Sequence, residues 1–177
     1  LPAALIIIFT PIATIHSDDF KNSIAFFSRA TELNNPGAAT KRGEEYINER
    51  DVTNALADFE NAIQLSQSEY PPAFYNRGLI NMNFVKDYKA AEADFTTTVI
   101  LDTGYFDAYI KRADVRILQQ NVGGALSDLQ KVKQYTPKNP KIFYTEGKAY
   151  VTAQQFDMAL ANFTQSINLD STFAEAF

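Results

Sequence analysis

The sequence predicts an all-α chain of repeated antiparallel helix hairpins, and three observations carry that prediction. Small residues recur at Gly43, Gly78, Ala113 and Gly147, at intervals of 35, 35 and 34 residues. Seven positions before each stands a residue suited to a helix start: Pro36, Pro71, Phe106 and Pro140. After each comes an alanine (Ala55, Ala91, Ala125, Ala159), and four residues later a large apolar side chain (Phe59, Phe95, Leu129, Phe163). A fixed period of this length means one helical hairpin copied several times, each copy burying its apolar face against the next.

Composition bounds the chemistry. The 177 residues include 46% hydrophobic and 21% charged side chains, enough apolar content for a packed core and too much for a disordered chain. With 16 basic and 21 acidic residues the net charge is −5, which argues against a nucleic-acid partner, since that needs a clustered basic face. No cysteine is present, so disulfides, thiolate metal sites and cysteine nucleophiles are excluded. Histidine occurs once, at His16, with no nucleophile in a recognisable motif around it. We expect no catalytic residue, no metal site and no cofactor. No phosphate loop or dinucleotide glycine pattern appears.

In order along the chain, residues 1–16 are an apolar lead-in, richest at Leu5–Phe9. Two readings stay open for it: the remnant of a signal or membrane segment, or a buried irregular entry to the first hairpin. Export and a cytoplasmic location therefore stay equally open, and this segment is the only one through which the chain could associate with a membrane. Residues 17–35 carry Phe20, Ile24, Phe27, Ala30 and Leu33 at helical spacing and read as a degenerate partial repeat, with Asp18-Asp19 at its helix start. Repeats then occupy 36–70, 71–105, 106–139 and 140–173, and residues 174–177 open a further one. Both ends read as incomplete copies, so we expect a piece of a longer protein.

Within each repeat, the mid-helix glycine costs about 1 kcal/mol relative to alanine, and close approach of the partner helix is the physical reason to tolerate it. Second helices start near Val52, Tyr88, Val122 and Phe156. The second repeat has one extra residue between Gly78 and Tyr88. Asn121-Val122-Gly123-Gly124 reads as an inter-helix turn, and the glycosylation pattern Asn162-Phe163-Thr164 falls mid-helix, where it carries no weight.

The set Phe74…Gly78…Tyr88…Ala91…Phe95, with its counterparts Tyr109…Ala113…Ala125…Pro137 and Phe143…Gly147…Phe156…Ala159…Phe163, resembles tetratricopeptide repeats. The first repeat departs with Ala39 where an aromatic is usual, and the closing proline survives only as Pro137. The resemblance implies a right-handed superhelical solenoid of antiparallel helix hairpins, with the first helices lining a concave groove.

A charge pair travels with the repeat. Arg42, Arg77 and Arg112 precede the small residue, and Asp58, Asp94 and Asp128 precede the large apolar one. In the fourth repeat both change together, to Glu146 and Asn162. Arginine on one helix facing aspartate on the other would hold the hairpin by a charge-assisted bond. A ligand-binding arginine ladder is the alternative.

Carried over from the family, the exposed groove positions include Thr40 and Glu44 in the first repeat and Leu118 in the third. The candidate partner-binding residues are Tyr75, Leu79, Met82, Asn83, Ile110, Asp114, Ile117, Tyr144, Lys148 and Val151. Tyr75, Leu79, Met82, Ile110, Ile117 and Tyr144 would form an apolar patch for a peptide or helix, unless part of it packs on adjacent repeats. No repeat combines the lysine and asparagine of a chaperone-tail clamp. The expectation is a protein–protein interaction scaffold or adaptor without catalytic activity, binding a protein or peptide. The alternative is a self-assembly module forming a homo-oligomer, or a non-catalytic part of a larger membrane-associated or secreted complex.

Overall fold

The computed structural model describes residues 23–31 and 34–171, and all regular structure in them is helical. The apolar lead-in 1–16 with His16, the Asp18-Asp19 helix start, Phe20, Leu33 and the repeat opening at 174–177 lie outside the described residues. The chain divides into two compact units, residues 1–66 and 67–177.

The first unit holds α1 (Ser23–Thr31), α2 (Pro36–Asn48) and α3 (Val52–Leu65). Asn35 caps α2, its side-chain oxygen accepting from the Ala38 amide at 3.1 Å, and Pro36 fills the first helical position, where no donor is needed. The turn to α3 is made by Arg50 in the left-handed region (φ 63°), followed by Asp51, which accepts from the Asn54 amide at 3.1 Å. Ala39, Ala55, Phe59 and Ala62 are buried between α2 and α3. Phe59 lies directly under Gly43: a Cβ there would meet the ring at 2.6 Å. Arg42 Nε and Nη2 donate to the two oxygens of Asp58 at 2.7 and 2.6 Å, and that bond holds the guanidinium pKa above its ordinary value.

The second unit holds α4 (Pro71–Ile80) with a π-helical turn (Asn81–Val85), α5 (Tyr88–Leu101), α6 (Phe106–Leu118), α7 (Val122–Tyr135), α8 (Pro140–Thr152) and α9 (Phe156–Leu169). Each first helix again ends on one left-handed residue, at Lys86 (φ 64°), Gln120 (φ 62°) and Gln154 (φ 58°). Asp87 and Asn121 then cap the second helix by accepting from Ala90 and Gly124. A side chain in that backbone region costs roughly 1 kcal/mol, which the cap bond that follows it helps offset. The extra residue of the second repeat is taken up by the π-helical turn, so Lys86 and Asp87 keep the turn geometry of the other hairpins.

Two apolar clusters hold this unit together. Met82, Ala91, Phe95 and Val115 join the α4–α5 hairpin to α6. Val99, Ala108, Tyr109, Ile110, Ala113, Ala125, Leu129, Val132 and Ile142 run from α5 through α6 and α7 to α8. Gly78 sits over Phe95 as Gly43 sits over Phe59, whereas Ala113 stands in the hairpin whose large residue is the smaller Leu129.

The charged groups are bound inside this framework. Arg77 donates to Asp94 at 2.7 to 3.2 Å, and Asn81 adds a bond to the same carboxylate at 3.0 Å. Arg112 donates to Asp128 at 2.6 and 2.9 Å, and Arg116 donates to it at 2.8 Å. In the fourth repeat Glu146 accepts from Lys133 of the preceding hairpin at 2.9 and 3.1 Å, and the Asn162 amide turns to the Met158 carbonyl. Arg116 also reaches Glu92 at 2.8 Å, tying α6 to α5. Ion pairs therefore fasten hairpins to each other as well as helices within a hairpin.

Candidate partner-binding surface

The first helices α4, α6 and α8 bring the candidate residues together, but not all of them to the surface. Met82 and Ile110 are 8% and 4% exposed and belong to the two clusters. Thr40, in the first unit, is likewise buried and donates to the Pro36 carbonyl. For Met82 and Ile110 the physical reason is the packing of successive hairpins: a position that faces outward on one isolated hairpin is covered once the next first helix lies beside it. Met82 and Ile110 are core residues.

Tyr75 is partly buried as well. Its ring packs on Tyr105 at 4.9 Å and on Phe95 at 5.8 Å between centroids. Burial, with Asp107 adding to it, pushes its hydroxyl pKa well above the ordinary tyrosine value, because the anion has lost its water. Leu79 and Ile117 are half-buried against the clusters. Tyr144 is half-buried with its ring 5.7 Å from Phe163. Asn83 and Val151 are exposed, Val151 at 45%.

The charged members are paired across α6 and α8. Lys148 donates to Asp114, and its ammonium stands 5.0 Å from the Tyr144 ring centroid. Lys111 approaches the same carboxylate at 3.7 Å, and Lys141 lies 3.8 Å from Asp107. The spacing from Asp107 to Lys141 and from Asp114 to Lys148 equals the 34-residue step between these repeats. Both aspartates of this face are thus held by lysines, with half-open apolar side chains between the charges.

Further apolar side chains are exposed where the first helices end. Leu118 is 54% exposed, and Phe84 and Val85 of the π-helical turn are 53% and 52% exposed. Phe84 and Val85 were not among the sequence candidates. The extra residue between Gly78 and Tyr88 was the available signal, because an insertion at a tight turn must push side chains outward. Among the described residues no grouping of acidic and imidazole side chains is suited to holding a metal ion.

No family model matches the chain. It is 26% identical over 144 residues to the DnaJ homolog subfamily C member 7 homolog of Dictyostelium discoideum, covering 75% of this chain and 26% of that protein. It is 31% identical over 134 residues to human serine/threonine-protein phosphatase 5, covering 70% of this chain and 26% of that protein. The chain thus spans about a quarter of the length of these curated relatives. Among solved structures it is similar to YrrB, described as a TPR protein with an unusual peptide-binding site. That match has a TM-score of 0.73 at 21% identity and covers 90% of this chain and 82% of the other. At that identity the likeness speaks for the fold, which agrees with the register of glycines, alanines and hairpin turns described above. In fold and in repeat register, the chain has the architecture of tetratricopeptide-repeat proteins.

Proposed function

We propose that this chain is a protein-interaction module that holds a peptide or helix of a partner protein on the face of α4, α6 and α8, and that it has no catalytic activity of its own. Tetratricopeptide-fold homologues are protein-interaction scaffolds, which supports the general reading. One observation carries the location: Leu79, Ile117, Tyr144 and Val151 are left partly open there while the charges among them, Asp114 and Lys148, are bound to each other. Such a face offers little to a highly charged ligand and suits apolar anchors.

The test is a double charge insertion at exposed positions, Leu118→Asp with Val151→Asp, which leaves the clusters intact. Capture of a partner from the native source should be lost while helicity is unchanged. Undiminished capture of the same partner removes this face from consideration. Tyr75→Ala is unsuitable for this purpose, because Tyr75 packs on both clusters and its loss weakens the fold.

A second reading, self-assembly, is favoured by α9. Phe156, Met158 and Leu160 are 66%, 49% and 68% exposed. Leu160 occupies the helix position of Glu92 in α5, which reaches the following hairpin through Arg116. In this reading that position receives a helix of another copy. Sedimentation of the chain with and without Leu160→Asp separates the cases: an oligomer dissolved by the substitution supports self-assembly, and a monomer throughout removes it.

A further inference from the structure

An open cleft of about 640 Å³ lies between the second helices α5 and α7 and shares no residue with the surface proposed above. Its floor is formed by Arg112 and Arg116, reaching across from α6, and its rim by Ile100, Ser127 and Lys131. A guanidinium carries five N–H donors. Arg112 uses three, two toward Asp128 and one toward Thr96 at 3.1 Å. Arg116 directs Nε to Glu92, and Nη1 to the Gly124 carbonyl and Asp128, and its Nη2 has no acceptor among the described residues. Among the described residues no side-chain nitrogen is both buried and without a partner, so Arg116 Nη2 opens toward solvent rather than into protein.

The charge balance is equally uneven. Asp128 and Glu92 neutralise the two arginines, but Lys131 forms no ion pair among the described residues; its ammonium stands 5.0 Å from the Tyr109 ring centroid. One positive charge is left over in a cleft of a chain whose net charge is −5. Beside it Ile100 is 71% exposed, continuing the buried Val99 outward.

We propose that this cleft is a second docking site, for an acidic peptide of a partner protein. One carboxylate sits on the free donors of Arg112 and Arg116 beside Lys131, and a neighbouring apolar side chain covers Ile100. A single carboxylate matches the one surplus charge, whereas a phosphate dianion would add repulsion from Asp128. The apolar shoulder selects a polypeptide over a free anion.

The probe is a short labelled peptide of alternating glutamate and leucine, with its glutamine-for-glutamate analogue as control, titrated against the chain by fluorescence anisotropy and amide NMR. We expect saturable binding that shifts the amides of Ile100, Ser127 and Lys131. Lys131→Glu should weaken it about tenfold, since a reversal of charge acts at contact distance. Lys138→Glu, the same change of charge at an exposed loop position, should not. The proposal is overturned if binding is absent, if the glutamine analogue binds as well, or if the two lysine variants weaken binding equally. Tighter binding of inorganic phosphate than of the peptide, or shifts centred on α4 and α8, overturns it too. Because the two sites share no residue, failure here leaves the first-helix face standing, and the reverse.

Discussion

Replacing Gly43 by alanine tests the physical reason for the recurring small residue. The added Cβ would lie 2.6 Å from Cε1 of Phe59 and 3.0 Å from Cδ1 and Cζ. Ordinary carbon contacts are about 3.5 to 4.0 Å, so the ring must retreat by about 1 Å. It has little room, since Phe59 is 1% exposed and Ala55 and Ala62 on the same helix are fully buried. Overpacking of this kind costs roughly 1 to 3 kcal/mol, while glycine to alanine in a helix returns about 1 kcal/mol. The net expectation is a loss of about 1 kcal/mol. Phe59→Leu alone should also destabilise, by roughly 2 kcal/mol for the carbons removed. In the double variant the new methyl enters space the ring has left, reproducing the Ala113 and Leu129 combination of the third hairpin, where both residues are fully buried. The two substitutions should therefore couple by about 2 kcal/mol in favour of the pair. Denaturant unfolding of the four chains measures this, with amide exchange in α2 and α3 reporting the hairpin itself, because repeat proteins can unfold in parts. Additive effects within about 0.5 kcal/mol, or a stabilising Gly43→Ala, would refute the steric argument.

Two further expectations follow from the buried charges and the packed tyrosine. Asp128→Asn removes the acceptor shared by Arg112 and Arg116, and leaving buried cations under-paired should cost about 3 kcal/mol in urea unfolding. Asp58→Asn should cost less, since only Arg42 depends on that carboxylate among the described residues; equal losses would show that the second arginine adds nothing. Burial raises the Tyr75 pKa above its unfolded value of about 10, so the folded state prefers the neutral phenol. Its contribution is complete below pH of about 10 and is lost as the pH rises beyond that. Between pH 8 and 11 the wild-type urea midpoint should therefore fall more than that of Tyr75→Phe, and parallel falls would contradict the assignment.

The fold was legible because its determinants lie inside one hairpin. A glycine or alanine in the first helix, an alanine in the second and a large apolar residue four positions later are fixed by contacts between two adjacent helices. Those contacts recur at a constant spacing, so four copies reinforce one pattern. The outward faces were less legible. Ile110 and Met82 look solvent-facing on a lone hairpin and become core only when the neighbouring hairpin is present. The joint change to Glu146 and Asn162 marked a lost pair, but the replacement, Lys133, comes from the preceding hairpin and has no counterpart in the pattern of a single repeat. The π-helical turn is a third case: the extra residue could be counted, but the backbone form that absorbs it could not.

These cases share a cause that bears on where partners bind. The small-residue and large-apolar contacts within a hairpin recur from copy to copy, so they define the fold and distinguish little. Contacts between hairpins differ from step to step: Arg116 bridges to Glu92, Lys133 to Glu146, Lys148 to Asp114. Each such pairing decides which charges remain available outside. On the two readings proposed above, the α6–α8 face, whose aspartates are both held by lysines, would serve apolar anchors, and the α5–α7 cleft, with Lys131 and spare guanidinium donors, would serve a carboxylate. On those readings recognition would reside in the departures from the repeat, and substitutions there should alter binding with far less effect on the fold than substitutions at the repeating positions.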